Sequence, residues 1–221
     1  MNRNLPAELG TGTRAAVVVA HPDDETLWCG GFMLMHPEWR WTVVSLCRAK
    51  DPDRSARFYR ALRRYGAVGN MADLDDGPEQ DPLPGPAVES TILSILPRVP
   101  YDLLLTHSRD GEYTRHRRHE EVGKAMGVLW RMRRLQADAL WSFAYSDGDH
   151  CHLPKAIEDA DFTCELPEDL WRRKREIITG VYGFSEDSFE ARTTPRVEAF
   201  SCRDLRSLRS AEDSETKERA K

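Results

Sequence analysis

The stretch "RAAVVVAHPDDE" at residues 14–25 places an apolar run directly before one histidine and three carboxylates. Residues 14–20 are rich in valine and lack polar alternation, which is typical of a strand buried on both faces of a parallel sheet. The charged residues that follow would be costly to bury unless they were solvated or neutralised. A buried strand that is followed directly by these charged side chains therefore predicts a site for a cation.

The rest of the chain repeats this order of strand and helix. Apolar runs that predict strands lie at residues 41–47, 101–107 and 139–145, and predicted helices lie at 28–36, 54–65, 87–96 and 117–134. Alternation of this kind favours a Rossmann-like doubly wound α/β fold, with a mostly parallel sheet flanked by helices in a single domain.

The boundaries of that domain follow from composition. We predict a loose leader over residues 1–13, the folded domain over 14–202 and a polar, disordered tail over 203–221. Residues 70–86 are rich in Asp, Pro and Gly and predict a long loop.

Three functional candidates fall at the ends of predicted strands. His21 follows the first strand, Arg48 follows the second, and His107 ends the third. Open α/β sheets bind their ligands beyond the carboxyl ends of the strands. We therefore expect these residues to meet at one edge of the sheet.

Composition excludes several classes of function. A net charge of −5 and a pI near 5.8 provide no basic field for nucleic acid. No apolar run approaches the ~20 residues of a membrane helix, and the N-terminus lacks a signal-peptide core. The five scattered cysteines indicate reduced thiols and not a disulfide framework. These features predict a cytoplasmic protein, and they leave the oligomeric state open between a monomer and a homo-oligomer.

The carboxylates of residues 20–25 suggest a division of roles. His21 and Asp24 are three positions apart, so a helix that starts after Pro22 would place both on one face and allow both to bind one ion. Asp23, as the neighbour of Asp24, would point elsewhere and stay unligated. A metal-assisted hydrolase needs this combination of a Lewis acid and a nearby free base.

A second pair of histidines has the same spacing. His116 and His119 lie at the start of the predicted helix 117–134, after the third strand. Together, His21, Asp24 and His119 would give three protein ligands, which with one water is the open arrangement of catalytic zinc. This donor set suits Zn²⁺ and also Fe²⁺ or Co²⁺. His116 would then be available to act on a substrate.

The two motifs together resemble those of the PIG-L/LmbE-like zinc-dependent de-N-acetylase family. "AHPDDETLWCGG" (residues 20–31) is similar to the first family motif and "THSRDGEYTRHRRHEEV" (residues 106–122) to the second. The resemblance covers residues 14–145 and continues through 182–200. It implies a Rossmann-like fold and hydrolysis of an N-acyl group, typically the acetyl group of a glucosamine derivative.

The resemblance also implies roles for single residues. By motif position, His21, Asp24 and His119 correspond to the metal ligands and Asp23 to the general base. His116 corresponds to the residue that stabilises the oxyanion or assists the departing amine. Six further residues are predicted substrate contacts: Arg48, Arg57, Asp75, Asp76, Tyr113 and Arg115.

The second motif departs from the family in its charge. Arg115, Arg117 and Arg118 flank the two histidines, where many members have neutral or acidic residues. Because guanidinium groups match carboxylate and phosphate, we expect these arginines to favour an anionic group on the substrate. A solvated helix face is the alternative interpretation.

Other hypotheses remain open at this point. "DHCH" at residues 149–152 could form a second metal cluster, although a polar surface loop is the simpler interpretation. The chain could also be a metal-dependent amidohydrolase that acts on a non-sugar amide, or a catalytically silent binding protein of the same fold.

Overall fold

The structure is a computed structural model, and it describes residues 9–113 and 116–204. Its strands and helices are, in chain order, β1 (Arg14–Val19), α1 (Asp24–Met35), β2 (Arg40–Cys47), α2 (Pro52–Tyr65), β3 (Val68–Leu74), α3 (Gly85–Ile95), β4 (Tyr101–Thr106), α4 (Arg117–Arg131), β5 (Ala137–Phe143), β6 (Tyr145–Ser146), β7 (Lys155–Ala156), β8 (Phe162–Glu165), α5 (Glu168–Glu176), a π-helix (Ile177–Val181), α6 (Phe189–Thr193) and β9 (Val197–Asp204).

Seven of the strands form one central sheet in the order β3-β2-β1-β4-β5-β9-β8. Neighbouring strands from β3 to β5 run parallel, whereas β9 is antiparallel to both β5 and β8. The chain leaves β1 in one direction for β2 and β3 and returns to its other side for β4 and β5, which is the doubly wound order. The predicted Rossmann-like, mostly parallel, single-domain fold is confirmed.

Helices cover both faces of this sheet, which explains why its strands are apolar throughout. Val17 belongs to a core cluster that includes Trp28 of α1 and Trp141 of β5. Val18, on the opposite face of the same strand, belongs to a second cluster that includes Met126 of α4. Successive residues of a strand point to opposite faces, so a strand between two cores needs no polar alternation.

The predicted bounds of the first helix and of the long loop are wrong by a few residues. The predicted loop 70–86 begins with residues 70–74 in the edge strand β3, and α1 begins at Asp24 instead of residue 28. Leu9, in the predicted leader, packs against the core, and β9 extends to Asp204, past the domain end predicted at 202. The other residues of the predicted leader and tail, 1–8 and 205–221, lie outside the described residues.

The region after residue 145 closes the sheet through a buried ion pair. Lys174 of α5 and Glu198 of β9 are fully buried, with 2.7 Å between Lys174 Nζ and Glu198 Oε1. The Glu198 carboxylate also accepts hydrogen bonds from the backbone N–H groups of Gly31 and Phe32, at 2.7 and 2.6 Å. Those donors are free because α1 is kinked at Cys29, whose φ and ψ are non-helical. The pair therefore joins the C-terminal region to the helix that starts beside the predicted site.

No helix among the described residues is both long and apolar enough to cross a membrane.

Loss of Lys174 should strongly destabilise the fold. Lys174→Met would leave the Glu198 carboxylate buried without its counter-charge, which typically costs about 3–5 kcal/mol. Urea unfolding, followed by circular dichroism, measures the change in the free energy of unfolding. The control Arg172→Met removes an exposed pair with Glu168 on the same helix and should cost at most about 1 kcal/mol. Equal losses in the two variants would contradict this interpretation.

Candidate metal centre

The site lies where the strand order reverses, beyond the carboxyl ends of β1 and β4. His21 follows β1, and the chain then turns into α1 at Asp24. His107 follows β4, and a loop leads from it to His116 and the start of α4. This is the crevice in which doubly wound folds bind their ligands. The predicted meeting of His21 and His107 at one sheet edge is confirmed.

Potential ligand atoms from three side chains converge at this point. His21 Nδ1 lies 3.1 Å from Asp24 Oδ2. His119 Nε2 lies 3.3 Å from both His21 Nδ1 and Asp24 Oδ1. Ligands about 2.1 Å from a tetrahedral ion are about 3.4 Å apart, so the spacing fits a single divalent ion. The donor set of two imidazoles and one carboxylate suits Zn²⁺, Fe²⁺ or Co²⁺ equally.

A buried carboxylate orients His119 for this role. Glu112 Oε2 lies 2.7 Å from His119 Nδ1 and 2.8 Å from His107 Nδ1. Burial by itself would raise the pKa of Glu112, but the two imidazoles hold it at about 2. With Nδ1–H donated to this carboxylate, His119 keeps the lone pair of Nε2 toward His21 and Asp24. Histidine ligands of metals are typically supported in this way.

His21 has an equivalent carboxylate partner in Asp76. The distance from His21 Nε2 to Asp76 Oδ1 is 3.1 Å, and Arg48 holds the other oxygen, with 2.6 Å between its Nη2 and Asp76 Oδ2. Asp76, which was predicted as a substrate contact, thus also lies behind a metal-ligand candidate. Both imidazoles of the site therefore have a carboxylate on the nitrogen that faces away from the common point.

His107 contributes to the site without a free ligand atom. Its Nε2 accepts a hydrogen bond from the backbone N–H of Ala20 at 3.0 Å, and its Nδ1 faces Glu112. The ring also stacks on His119, with 3.9 Å between centroids. Sequence reasoning placed His107 at this edge but assigned no role to it or to Glu112. The only available signal was the position of both in the loop between β4 and α4.

The predicted catalytic pair, Asp23 and His116, faces the same space. Burial and the neighbouring Asp24 raise the pKa of Asp23 well above its usual value. Burial and the nearby His119 and His21 lower the pKa of His116 to about 3, so its ring is neutral. Within the described part of the chain, the buried His116 Nδ1 has no hydrogen-bond partner. Asp23 can thus take up a proton, and His116 offers an unused polar atom.

A cavity of about 520 Å³ opens above these residues. Its walls combine charged and aromatic side chains around the metal-ligand candidates: His21, Pro22, Asp23, Asp24, Leu27, Arg48, Arg54, Asp76, Gly77, Pro78, Gln80, Tyr113, His116, Phe189 and Glu190. Arg48 and Tyr113 therefore lie where a substrate contact was predicted. Arg54, stacked on Phe184 with 4.9 Å to the ring centroid, was not predicted. It lies one helical turn before the predicted Arg57.

Two predicted substrate contacts lie outside the cavity wall. Arg57 donates hydrogen bonds to Asp53 and to the backbone carbonyl of Tyr182. The side chain of Asp75 is 64% exposed and pairs with Arg118. Neither residue lines the cavity, so the structure adds no support to these two predictions.

Of the arginines beside the histidines, the two that the structure describes are bound by other groups of the protein. Arg118 is buried, and its guanidinium is bound by Glu121 at 2.6 Å and by the backbone carbonyl of Asp75. Arg117 donates to the backbone carbonyl of Gln80. Arg115 lies outside the described residues.

The "DHCH" segment is an exposed turn. Asp149 and His150 have positive φ, and residues 149–152 are all exposed. The groups of potential metal ligands found within residues 9–113 and 116–204 all involve His21 or Asp24 and not this segment.

Replacement of Glu112 should weaken metal binding. Glu112→Gln removes the carboxylate that orients the His119 ring, and such changes typically cost about 10–100-fold in metal affinity. Competition with a chromophoric chelator measures the zinc dissociation constant. Glu120→Gln alters a partly exposed carboxylate of α4, paired with Lys124, and should leave the dissociation constant unchanged. An unchanged constant in Glu112→Gln would show that His119 is not a ligand.

Comparisons with known proteins support the fold at low sequence identity. No family model and no curated protein matches the sequence. The zinc-inhibited form of teicoplanin deacetylase Orf2 superposes with a TM-score of 0.62 at 14% identity, covering 86% of this chain and 96% of that one. The 4-carboxy-2-hydroxymuconate hydratase GalB of Pseudomonas putida gives 0.55 at 14%, covering 86% and 95%. A conserved protein of Thermus thermophilus gives 0.56 at 15%, covering 86% and 94%. The chain therefore shares its α/β fold with a deacetylase and with a hydratase.

Proposed function

We propose that this protein is a metal-dependent N-deacetylase that hydrolyses the amide of a small N-acetylated substrate, a glucosamine derivative. We propose Zn²⁺ as the resident ion, held by His21, Asp24 and His119. The observation that carries the proposal is the spacing of 3.1–3.3 Å among their ligand atoms, beside an unligated carboxylate in a cavity. Solved structures of teicoplanin deacetylase share the fold, which agrees with the proposal.

The chemistry divides between the ion and the side chains around it. A divalent ion at this position supplies a Lewis acid and lowers the pKa of water. Asp23 accepts the proton of the attacking water and later delivers it to the amine nitrogen. The neutral His116 ring donates a hydrogen bond to the carbonyl oxygen as negative charge develops there. One C–O bond forms and the C–N bond breaks, which releases acetate and a free amine.

The cavity walls suit a substrate with several hydroxyl groups. Arg48, Arg54 and Glu190 offer donors and acceptors around the opening, and Tyr113 and Phe189 offer apolar surface. A volume of about 520 Å³ is in the usual range of small-molecule sites. The same groups would also accept a non-sugar amide, so the substrate class needs a direct comparison.

Acetate release tests the proposal against its alternatives. Purified protein is loaded with Zn²⁺, Fe²⁺ or Co²⁺ and incubated with N-acetylglucosamine derivatives and with acetylated amino acids. Release from the sugars alone supports the proposed substrate, and release from the amino acids alone favours a non-sugar amidohydrolase. Metal binding without hydrolysis of either would leave a binding protein or, as in GalB, a different reaction on the same fold.

Asp23→Asn should lower turnover by about 10²–10⁴-fold, because general-base catalysis contributes about that factor. Its metal content should remain normal, since Asp23 is not among the proposed ligands. Steady-state kinetics and elemental analysis of the same preparation measure both quantities.

Asp24→Asn should instead lower metal affinity together with turnover. An uncharged amide at this position is a poor ligand and leaves the two imidazoles without their counter-charge. If Asp23→Asn lost the metal and Asp24→Asn retained it, the two roles would have to be exchanged.

Zinc affinity should rise with pH. Burial alone would lower the pKa of His21, but the carboxylates of Asp24 and Asp76 raise it to about 10 in the metal-free protein. An ion at Nδ1 must therefore displace a proton, and protons compete less as the pH increases. Between about pH 6 and pH 8 the affinity should rise about tenfold per unit for one displaced proton. Calorimetry in two buffers of different ionisation enthalpy counts that proton, and an affinity independent of pH would contradict the assignment.

A further inference from the structure

The backbone of Asp23 has a strained conformation that something else must maintain. Its φ of 115° lies in the left-handed region, which costs a non-glycine residue about 1–3 kcal/mol. Asp23 is also the N-cap residue of α1, yet its side chain makes no capping hydrogen bond. The conformation therefore depends on contacts of its backbone with neighbouring groups.

Glu25 makes the contact that holds this turn. Its side chain is fully buried, and its Oε2 accepts the backbone N–H of Asp23 at 3.1 Å. Its Oε1 accepts the hydroxyl groups of Thr26 and Tyr182, both at 2.6 Å. The carboxylate thus links the strained residue to Tyr182, which lies 157 residues after Glu25 in the chain.

The position of Tyr182 depends on a local irregularity of its helix. The segment Ile177–Val181 is a π-helix, and the Tyr182 N–H bonds to the carbonyl of Ile177, five residues back, at 2.9 Å. Such segments are rare and occur frequently at functional sites. The Tyr182 carbonyl is fixed in turn by Arg57, whose Nη1 lies 2.5 Å away.

From this arrangement we propose that Glu25 and Tyr182 are positioning residues for Asp23. They hold the left-handed turn, so that the Asp23 carboxylate stays in the cavity while the Asp24 carboxylate faces His21 and His119. Neither Glu25 nor Tyr182 lines the cavity. The catalytic part of this inference rests on the proposed function, whereas the structural part concerns the Asp23 turn alone.

Tyr182→Phe removes one hydroxyl group and keeps the buried ring. We expect kcat to fall by about 10–100-fold, because small displacements of a catalytic group have effects of this size. KM should change by less than about twofold, since substrate binding does not involve Tyr182. Metal content should equal that of the unaltered protein.

Tyr145→Phe is the matched control. Tyr145 is similarly buried, and its hydroxyl donates to the backbone carbonyl of Trp28 and accepts the N–H of Ala199, without contact to Glu25. Loss of this hydroxyl should lower stability to a similar extent and leave kcat unchanged. Glu25→Gln should retain more activity than Glu25→Ala, because its amide oxygen can still accept the Asp23 N–H.

Hydrogen–deuterium exchange of the Asp23 amide in metal-free protein provides a readout that needs no activity. Exchange should be about tenfold faster in Tyr182→Phe than in Tyr145→Phe, because the acceptor of that amide is less firmly held. This measurement decides the structural part even if the unaltered protein does not hydrolyse the tested amides.

Two results would overturn the inference. One is that Tyr182→Phe matches Tyr145→Phe in both kcat and exchange, which would make Tyr182 a packing residue only. The other is a loss of metal in Tyr182→Phe, which would mean that the contact supports the ligands and not Asp23. In either case an active unaltered enzyme would leave the proposed function intact.

Discussion

The arrangement of the site depends on the buried carboxylate of Asp24. It is only 5% exposed, and a carboxylate taken out of water is costly unless it is paired and hydrogen-bonded. Its oxygens lie within 3.4 Å of imidazole nitrogens from three segments: His21 after β1, His107 after β4 and His119 in α4. Burial opposes its ionisation, but His119 and His107 hold the pKa of Asp24 well below its usual value. The elements at the switch point thus meet around the carboxylate of Asp24, which three imidazoles surround.

The strands and the main site residues follow from the sequence because the signals are local. Val17 and Val18 face different cores, so an uninterrupted apolar run is the expected pattern for β1. The spacing of three from His21 to Asp24 and from His116 to His119 is likewise visible without a structure. A short spacing at the end of a buried strand limits where side chains can point, and this makes both pairs predictable.

The features that the sequence did not predict depend on contacts between residues far apart in the chain. The spacing of residues within a motif does not reveal such contacts. Glu198 binds the N–H groups of a kink in α1 that lies 166 and 167 residues earlier, and no local pattern indicates that kink. Asp76 was predicted as a substrate contact and lines the cavity, but its contact with His21 Nε2 arises from the return of the chain after β3 and was not predicted. Arg118 was expected at the rim, whereas the helical turn points it toward Glu121 and away from solvent.

The different roles proposed for Asp23 and Asp24 follow from the backbone that joins them. An aspartate at an N-cap normally accepts a helix N–H, which is worth about 1 kcal/mol, and Asp23 lacks this bond. Asp23 also has a strained φ. The missing capping bond and the strained backbone therefore both lower the stability of the fold at this one residue. Residues that depart from the usual capping and backbone preferences in this way occur mainly at functional sites. A relaxed turn would let Asp23 cap α1 and withdraw its carboxylate from the cavity. In the proposed roles, the strain therefore keeps the Asp23 carboxylate in the cavity beside Asp24, the proposed ligand that follows it in the chain.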